Sequence, residues 1–392
     1  MGFAEAFMFG DIECDNLINV FEIFILNKAA LASMSNTLSI IVGTISAKIT
    51  SSRFLGSLAN TRSNISSHYD LSNEMYMGFL SKDMTYSSAI FEDLDGDLVD
   101  SREASLSPES PVSSEAKLII QGAQHTPVSE NNDPLYEGQM RKYDHLIRKA
   151  NIRPGHRVLE IGSGWGAFAI RIAQSIPRTT IDTITLSSRQ LELAAQRIKD
   201  AGLEDRINIH LMDYRSMPLE WEGAFDRAVS VEMMEHVGYN FLEVYWKHTD
   251  WALKKGTGAG VIQCITLPEA LTFPSQIFPG GHIPTTTHLI TSLRDGSRGA
   301  LVVESVNNIG PHYARTLRMW RQRFEASFDR IIVPALRQEY RDIMTDEEIQ
   351  IFKRRWIYYY SYCEIGFTTR ALGGLFYFNE ISLPVLTTAI AI

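Results

Sequence analysis

A short, largely apolar strand that runs directly into a glycine-rich turn is the feature that most constrains this fold. Residues Arg157–Ile161 (RVLEI) predict a buried strand. Gly162, Gly164 and Gly166 follow at once, and a helix is predicted at Ala167–Ser175. Glycine tolerates positive φ and lets a ligand approach the backbone closely. The segment therefore predicts an α/β fold with a ligand site at this turn.

The rest of the C-terminal part continues the alternation of strand and helix. Strands are predicted at 180–186, 207–211, 226–231 and 258–265, and helices at 135–150, 188–201 and 240–253. Strands that alternate with helices pair in parallel and form a doubly wound sheet. Ligands bind such sheets at the carboxyl ends of the strands.

The spacing of the glycines narrows the class of ligand. The turn is GxGxG with Trp165 inside it and Glu160 before it, whereas a dinucleotide site prefers GxGxxG. An acidic residue at this place suits a ligand with an ammonium group and a sulfonium, which S-adenosylmethionine (SAM) has. We predict a Rossmann-like class I SAM-methyltransferase fold; a purely structural strand-to-helix turn is the alternative.

Polar residues follow the next two strands at the expected edge of the sheet. Thr185, Leu186 and Gln190 end the second strand and are predicted to bind a ribose. Asp213 and Tyr214 follow the third strand, and offer an acceptor and a stacking face for an adenine ring. These five residues are therefore candidate SAM contacts.

Two carboxylates and an imidazole follow the fourth strand in the segment VEMMEHVG. Glu232, Glu235 and His236 are predicted at the mouth of the same cleft. Such a group can bind a cation, hold an ion such as bicarbonate or transfer a proton. The alternative is a solvated acidic pair that caps a helix.

Charge and cysteine content exclude several classes of function. A formal net charge of -9 argues against nucleic acid as a partner. The three cysteines lie far apart, which indicates a reducing compartment and no cysteine metal site. We find no signal peptide and no apolar run near the roughly 20 residues that a spanning helix needs. We expect a cytoplasmic protein without a bound metal that touches membranes at their surface.

The composition divides the chain into three parts. Residues 1–92 are predicted to be a helical region that contributes to the active site. Residues 93–134 are acidic and rich in serine and proline, which predicts a flexible linker. Residues 135–392 are predicted to be the methyltransferase domain, with a helical substrate lid inserted at about 267–341.

Eight ordered blocks carry a family resemblance over about residues 65–370. The chain resembles the cyclopropane-fatty-acyl-phospholipid synthases and the related mycolic acid methyltransferases. The blocks are HYDLSNEMYMGFLSKDMTYSSAIF (68–91), VLEIGSGWG, ITLSSRQ, DYR, VEMMEHVG, IFPGGHIP (277–284), NIGPHYARTLRMW (308–320) and YYYSYCEIGF (358–367).

The resemblance implies methyl transfer from SAM to the double bond of an unsaturated acyl chain on a phospholipid. It also implies a bound bicarbonate as the base that removes a proton before ring closure. The product is then a cyclopropane or, if the proton leaves from another carbon, a methyl-branched or methylene lipid. By the same resemblance, Tyr86 and Ser87 are SAM contacts from the N-terminal region.

The resemblance further assigns residues around the bicarbonate. Glu235 and Tyr313 match two side chains that hold it in the family. Ser88 stands where the family often has cysteine, and Gln263 stands where bacterial members have histidine. Both departures retain hydrogen-bonding side chains.

Two other functions compete with lipid methylation. Plant alkaloid N-methyltransferases resemble the same family, and in that case Glu235 and His236 would position and deprotonate a small amine. The second is a non-catalytic lipid-binding relative. Arg315, Arg318 and Arg321, with Arg323 near them, predict a basic face for lipid phosphates or simply a solvated face. The sequence leaves open whether the chain forms a homodimer.

Overall fold

A computed structural model describes residues 3–27, 72–98, 133–269, 282–340 and 344–381, with the backbone alone at 375–381. Several expectations lie outside these residues: the start of the first family block (68–71), most of the linker (99–132), the IFPGG segment (277–281) and the apolar tail (382–392).

Within the described ranges, seven strands form one sheet. The strands are β1 Arg157–Ile161, β2 Thr180–Thr185, β3 Ile207–Leu211, β4 Arg227–Val231, β5 Ala259–Thr266, β6 Leu301–Asn308 and β7 Gly373–Ile381. Their order is β3-β2-β1-β4-β5-β7-β6. The first five strands pair in parallel and β7 runs antiparallel to both of its neighbours. The predicted doubly wound sheet is confirmed.

Helices cover the sheet and build a second layer of packing beside it. They are α1 Phe3–Phe9, α2 Leu17–Leu26, α3 Asn73–Met77, α4 Pro134–Lys149, α5 Ala167–Ser175, α6 Ser188–Asp200, α7 Leu242–Ala252, α8 Thr286–Gly296, α9 Gly310–Ser327, α10 Val333–Glu339 and α11 Asp346–Thr368. None of the helices in the described ranges is long and apolar enough to cross a membrane.

Local sequence explains where these helices begin. Asp133 accepts hydrogen bonds from two backbone amides of the first turn of α4, directly before a proline at its first position. Thr345 and Glu348 form a reciprocal capping box at the start of α11. The chain therefore marks α4 and α11 by local hydrogen bonding before any tertiary contact forms.

The predicted lid insertion contains a strand as well as helices. Within 267–341 the structure places α8, β6, α9 and α10, and β6 pairs with β7 at the edge of the sheet. The predicted helical insertion therefore also contributes an edge strand to the sheet. The strand pattern of β6 was too weak to predict from the sequence, because the strand lies at the sheet edge and most of its residues are exposed.

Aromatic side chains fill the space between α3, α9 and α11. Phe79 follows α3 and packs edge-on against Trp320 and Tyr360, and Trp356 stacks on Phe324. All five residues are buried. Buried aromatic rings contribute large apolar areas, so this cluster holds the helical layer in a fixed position against the sheet.

The arginines of α9 lie partly buried in ion pairs and do not form a lipid-facing surface. Arg318 bridges Asp97 and Glu364, with nitrogen-to-oxygen distances of 2.9 Å to both. Its side chain is 12% exposed. Arg315 pairs with Asp97, Arg321 with Glu364, and Arg323 with Asp133. The predicted basic face is wrong, because acidic residues distant in the chain fold against these arginines.

Candidate active site

A cleft of about 950 Å³, including its open mouth, lies at the carboxyl ends of β1, β2 and β4. Most of the predicted cofactor contacts line it. They are Tyr86, Ser87, Glu160, Gly162, Gly164, Trp165, Thr185, Leu186, Gln190 and Tyr214, and the predicted catalytic residue His236 lines it as well. Gly166, Asp213, Ser88, Glu235, Tyr313 and Gln263 lie outside the lining.

The glycine turn needs glycine for two different reasons. Gly164 has a φ of +49°, and a Cβ placed there would meet no atom within 4 Å. The backbone at Gly164 is therefore open to a ligand. Gly166 has a φ of +82°, and a Cβ there would lie 3.2 Å from the Cβ of Ala194 on α6. Gly166 thus lets α5 and α6 pack closely, which explains why it does not line the cleft.

Glu160 places a buried carboxyl group at the floor of the cleft. The Thr183 hydroxyl donates a hydrogen bond of 2.6 Å to it. Burial raises the pKa of Glu160 to about 8, against the lowering effect of that hydrogen bond. A ligand ammonium would favour the ionised form, so the site suits a cationic group.

Polar side chains surround the ends of β2 and β3. Thr185 donates a hydrogen bond of 2.7 Å to the Gln190 side-chain oxygen. The buried Tyr214 hydroxyl has no hydrogen-bond partner among the described residues. Asp213 pairs with Arg215 at 2.5 Å. Burial raises the pKa of Asp213, but hydrogen bonds from Arg215 outweigh it and lower the pKa overall.

Glu232 projects a second carboxylate into the cleft directly after β4. One carboxylate oxygen, Oε1, accepts a 3.0 Å hydrogen bond from the Ser88 backbone N–H and a 2.7 Å bond from the Gln263 amide. The other, Oε2, accepts a 2.6 Å bond from the Tyr313 hydroxyl. Four residues were predicted around bicarbonate: Glu235, Tyr313, Ser88 and Gln263. Three of them, Ser88, Gln263 and Tyr313, here donate hydrogen bonds to a side chain of the protein.

Glu235 and His236 follow in a turn of 3-10 helix at Met234–His236. Burial, and then repulsion from Glu232, raises the pKa of Glu235 to about 8. Its Oε1 accepts a hydrogen bond from the Ile265 backbone N–H, and its Oε2 has no partner among the described residues. Burial lowers the pKa of His236 to about 4, so its imidazole is neutral at pH 7.

Lys142 on α4 is a charged residue of this site that sequence reasoning missed. Its ammonium donates a 2.6 Å hydrogen bond to the Ser87 hydroxyl, and Gln139 donates a 2.8 Å bond to the Ser87 carbonyl. Burial lowers the pKa of Lys142 to about 7, against the opposing effect of Glu232 and Asp83. A signal existed, because helical spacing puts Lys142 on the same apolar face as buried residues of α4.

An aromatic wall, which includes Trp165 of the glycine turn, lines one side of the cleft. Tyr86 lines the cleft and stacks on Trp320, with ring centroids 5.0 Å apart. Tyr76 packs against both Tyr86 and Trp165. Aromatic faces attract cations and exclude water, so this wall suits a reaction that develops positive charge on carbon.

The strand order and this cleft define the class I methyltransferase fold. The structure of coclaurine N-methyltransferase bound to N-methylheliamine and SAH superposes with a TM-score of 0.66 at 16% identity. The match covers 96% of this chain and 98% of that one. At this identity the likeness shows the fold, and it confirms the predicted class.

Sequence comparison then shows the family. The family model described as mycolic acid cyclopropane synthetase matches residues 57–110 and 123–373, so the chain belongs to that family. It is 35% identical over 315 residues to the tuberculostearic acid methyltransferase of Mycobacterium tuberculosis, covering 78% of this chain. The chain spans only 62% of that relative's length. It is 27% identical over 380 residues to the cyclopropane-fatty-acyl-phospholipid synthase of Escherichia coli, covering 94% of this chain and 80% of that one.

Proposed function

We propose that this protein transfers the methyl group of SAM to the double bond of an unsaturated acyl chain on a phospholipid. The observation that carries the proposal is a single cleft that joins the glycine turn, a buried carboxyl group and an aromatic wall. The family membership and the names of both relatives agree with a fatty acyl substrate.

One end of the cleft suits SAM. SAM supplies an electrophilic methyl group on a sulfonium. Glu160 would pair with its ammonium, Thr185 and Gln190 would bind the ribose hydroxyls, and Tyr214 would pack against the adenine. The open backbone at Gly164 leaves room for the amino-acid part.

The other end of the cleft suits the reaction of an alkene. An alkene is a weak nucleophile, so its double bond must be held in line with the methyl group and away from water. Tyr86, which lines the cleft, would stabilise the carbocation that forms on the acyl chain without reacting with it. A base then takes a proton from a carbon next to the cation. Loss from the added methyl closes a cyclopropane, and loss from a chain carbon leaves a methyl-branched alkene.

The test uses vesicles of dioleoylphosphatidylglycerol and SAM with a labelled methyl group. We expect a labelled lipid one methylene heavier than the substrate, and fragmentation by mass spectrometry then shows a ring or a retained double bond. Vesicles of the saturated analogue are the control, because they offer no double bond. Labelling of small amines without labelling of the lipid would instead support an N-methyltransferase.

We also propose that the protein reaches its substrate from the cytoplasmic face of a membrane as a peripheral protein. The described residues include no spanning helix, and a phospholipid substrate lies in a bilayer. Flotation with the same vesicles tests this: the protein should rise with the lipid, and recovery of all protein at the bottom of the gradient would contradict it.

A further inference from the structure

We infer that the Glu232 carboxylate is the base of this reaction and takes the place of a bound bicarbonate. The inference rests on the proposed function. Its first support is geometric: the donors at Ser88, Gln263 and Tyr313 all converge on the two oxygens of Glu232. A planar carboxylate with donors on both oxygens presents the same chemical group as bicarbonate.

The arrangement leaves no suitable place for bicarbonate beside Glu232. The three donors are already paired with the side chain. A second anion 4 Å away would be repelled by about 4 kcal/mol at an effective dielectric constant of 20. Ser88, Gln263 and Tyr313 therefore do not fit bicarbonate while they donate to an ionised Glu232.

The backbone at Glu232 supports a role in function. Its φ is +50°, in the left-handed region that residues other than glycine rarely adopt. That conformation costs roughly 1–2 kcal/mol for an L-residue. Such strain is concentrated at functional sites, where the surrounding structure holds it. Here it turns the carboxylate off the end of β4 and into the cleft.

The environment of Glu232 raises its pKa, which suits a carboxylate that must accept a proton. Burial raises its pKa, while hydrogen bonds from Ser88 and Tyr313 and the charge of Lys142 oppose that rise. A carboxylate has about four acceptor positions, and the observed bonds use three of them. One position on Oε2 stays open for a proton.

The proposed step balances in atoms and electrons. Methyl transfer breaks the carbon–sulfur bond, forms a carbon–carbon bond and leaves a cation on the acyl chain. Oε2 of Glu232 then takes a proton from a carbon next to that cation. The electron pair of the broken C–H bond forms the third ring bond or a new double bond. The acyl chain is then uncharged again, the sulfur has become a neutral thioether, and the protonated Glu232 returns its proton to water.

Two variants test the inference on the full chain. Glu232→Gln keeps the size of the side chain but removes the base, and we expect lipid turnover to fall by about 10²–10⁴-fold. Glu232→Gly suits the positive φ, so the variant should melt at a temperature at least as high as that of the parent protein. The substitution also removes the carboxylate that accepts hydrogen bonds from Ser88, Gln263 and Tyr313, and leaves these donors free to bind an added anion. Glu222→Gln, an exposed glutamate remote from the cleft, is the matched control.

Bicarbonate separates an intrinsic base from a bound one. In buffer freed of carbon dioxide, the parent protein should keep its turnover. The inactive Glu232→Gly variant should regain activity when bicarbonate or formate is added. SAM affinity, measured by calorimetry, should change less than about threefold in both variants, because Glu160 and not Glu232 is assigned to the SAM ammonium. A threefold change corresponds to RT ln 3, a fraction of a kcal/mol.

Each outcome decides one question. Loss of parent activity without bicarbonate, or normal turnover by Glu232→Gln, would overturn the role of Glu232. If the parent protein methylates no unsaturated lipid under any condition, the proposed function fails instead. An inactive Glu232→Gly variant that binds SAM, melts normally and gains nothing from bicarbonate or formate would also count against the inference.

Discussion

Two buried glutamates lie in one cleft, and their surroundings prepare them for opposite tasks. Glu160 accepts a hydrogen bond from Thr183, and burial dominates its environment. Glu232 accepts three hydrogen bonds and is near the ammonium of Lys142. Burial raises the pKa of both groups. The number of donors supplied by the protein distinguishes them.

The comparison shows how one fold can make a carboxyl group bind or react. Glu160 is protonated at pH 7 in the free protein and ionises when a cationic ligand compensates its charge. Burial also raises the pKa of Glu232, but hydrogen bonds from Ser88 and Tyr313 and the charge of Lys142 oppose that rise. Pairs of titratable groups in unlike environments commonly divide the roles at an active site.

The largest expected contrast between the two glutamates is in SAM affinity. Glu160→Gln removes a charged partner of the ligand ammonium, an interaction of about 1.5–3 kcal/mol. We expect SAM to bind about 10–100-fold more weakly by calorimetry. Glu232→Gln, in contrast, should bind SAM nearly as the parent does. Equal losses in the two variants would remove the division of roles.

A smaller effect, on the pH dependence of turnover, is expected when the Tyr313 hydroxyl that donates to Glu232 is removed. Tyr313→Phe removes a donor to the ionised form of Glu232, so the pKa of Glu232 rises. A base acts deprotonated, so the acidic limb of the rate profile should move to higher pH. If the limb moves by about one pH unit, turnover at a fixed pH on that limb falls about tenfold. Lys142 still favours the ionised form, while Glu235 and neutral His236 do not.

Tyr239→Phe is the control for this substitution, because Tyr239 is 60% exposed and does not line the cleft. Its rate profile should match that of the parent protein. An acidic limb that stays in place or moves to lower pH in Tyr313→Phe would show that this hydroxyl does not stabilise the ionised base.

The glycine turn offers a matched pair of substitutions. Gly164 and Gly155 both have positive φ, and a Cβ added at either position would lie in open space. Either change to alanine should lower the free energy of unfolding by about 1 kcal/mol. Only Gly164→Ala should weaken SAM binding, by about several-fold, because only Gly164 lines the cleft. Equal SAM affinity in both variants would place the ligand elsewhere.

The smallest expected signal is a proton released when SAM binds. The pKa of Glu160 is raised to about 8, so the group is mostly protonated at pH 7 and loses its proton to pair with the ligand ammonium. Calorimetry in buffers of different ionisation heats measures this release. It should vanish in Glu160→Gln and persist in Glu232→Gln; persistence in Glu160→Gln would assign the proton to another group.

The sequence by itself determined the five parallel strands of the sheet, the glycine turn and the carboxyl group of Glu160. These features are local, since the hydrophobic periodicity and glycine spacing of about ten consecutive residues predict a strand and the turn that follows it. The ordered motifs also indicated the family and its candidate residues. Tyr86 and Ser87 came from that resemblance, because no local pattern relates residue 86 to a turn at residue 162.

Only the tertiary structure decided which glutamate accepts the hydrogen bonds from Ser88, Gln263 and Tyr313. The donors to Glu232 come from positions 144, 31 and 81 residues away in the chain. The left-handed backbone of Glu232 depends on distant segments that hold it. The ion pairs of the α9 arginines likewise need acidic residues from distant parts of the chain. Burial and long-range hydrogen bonds set the protonation of a group, and both exist only once the chain has folded.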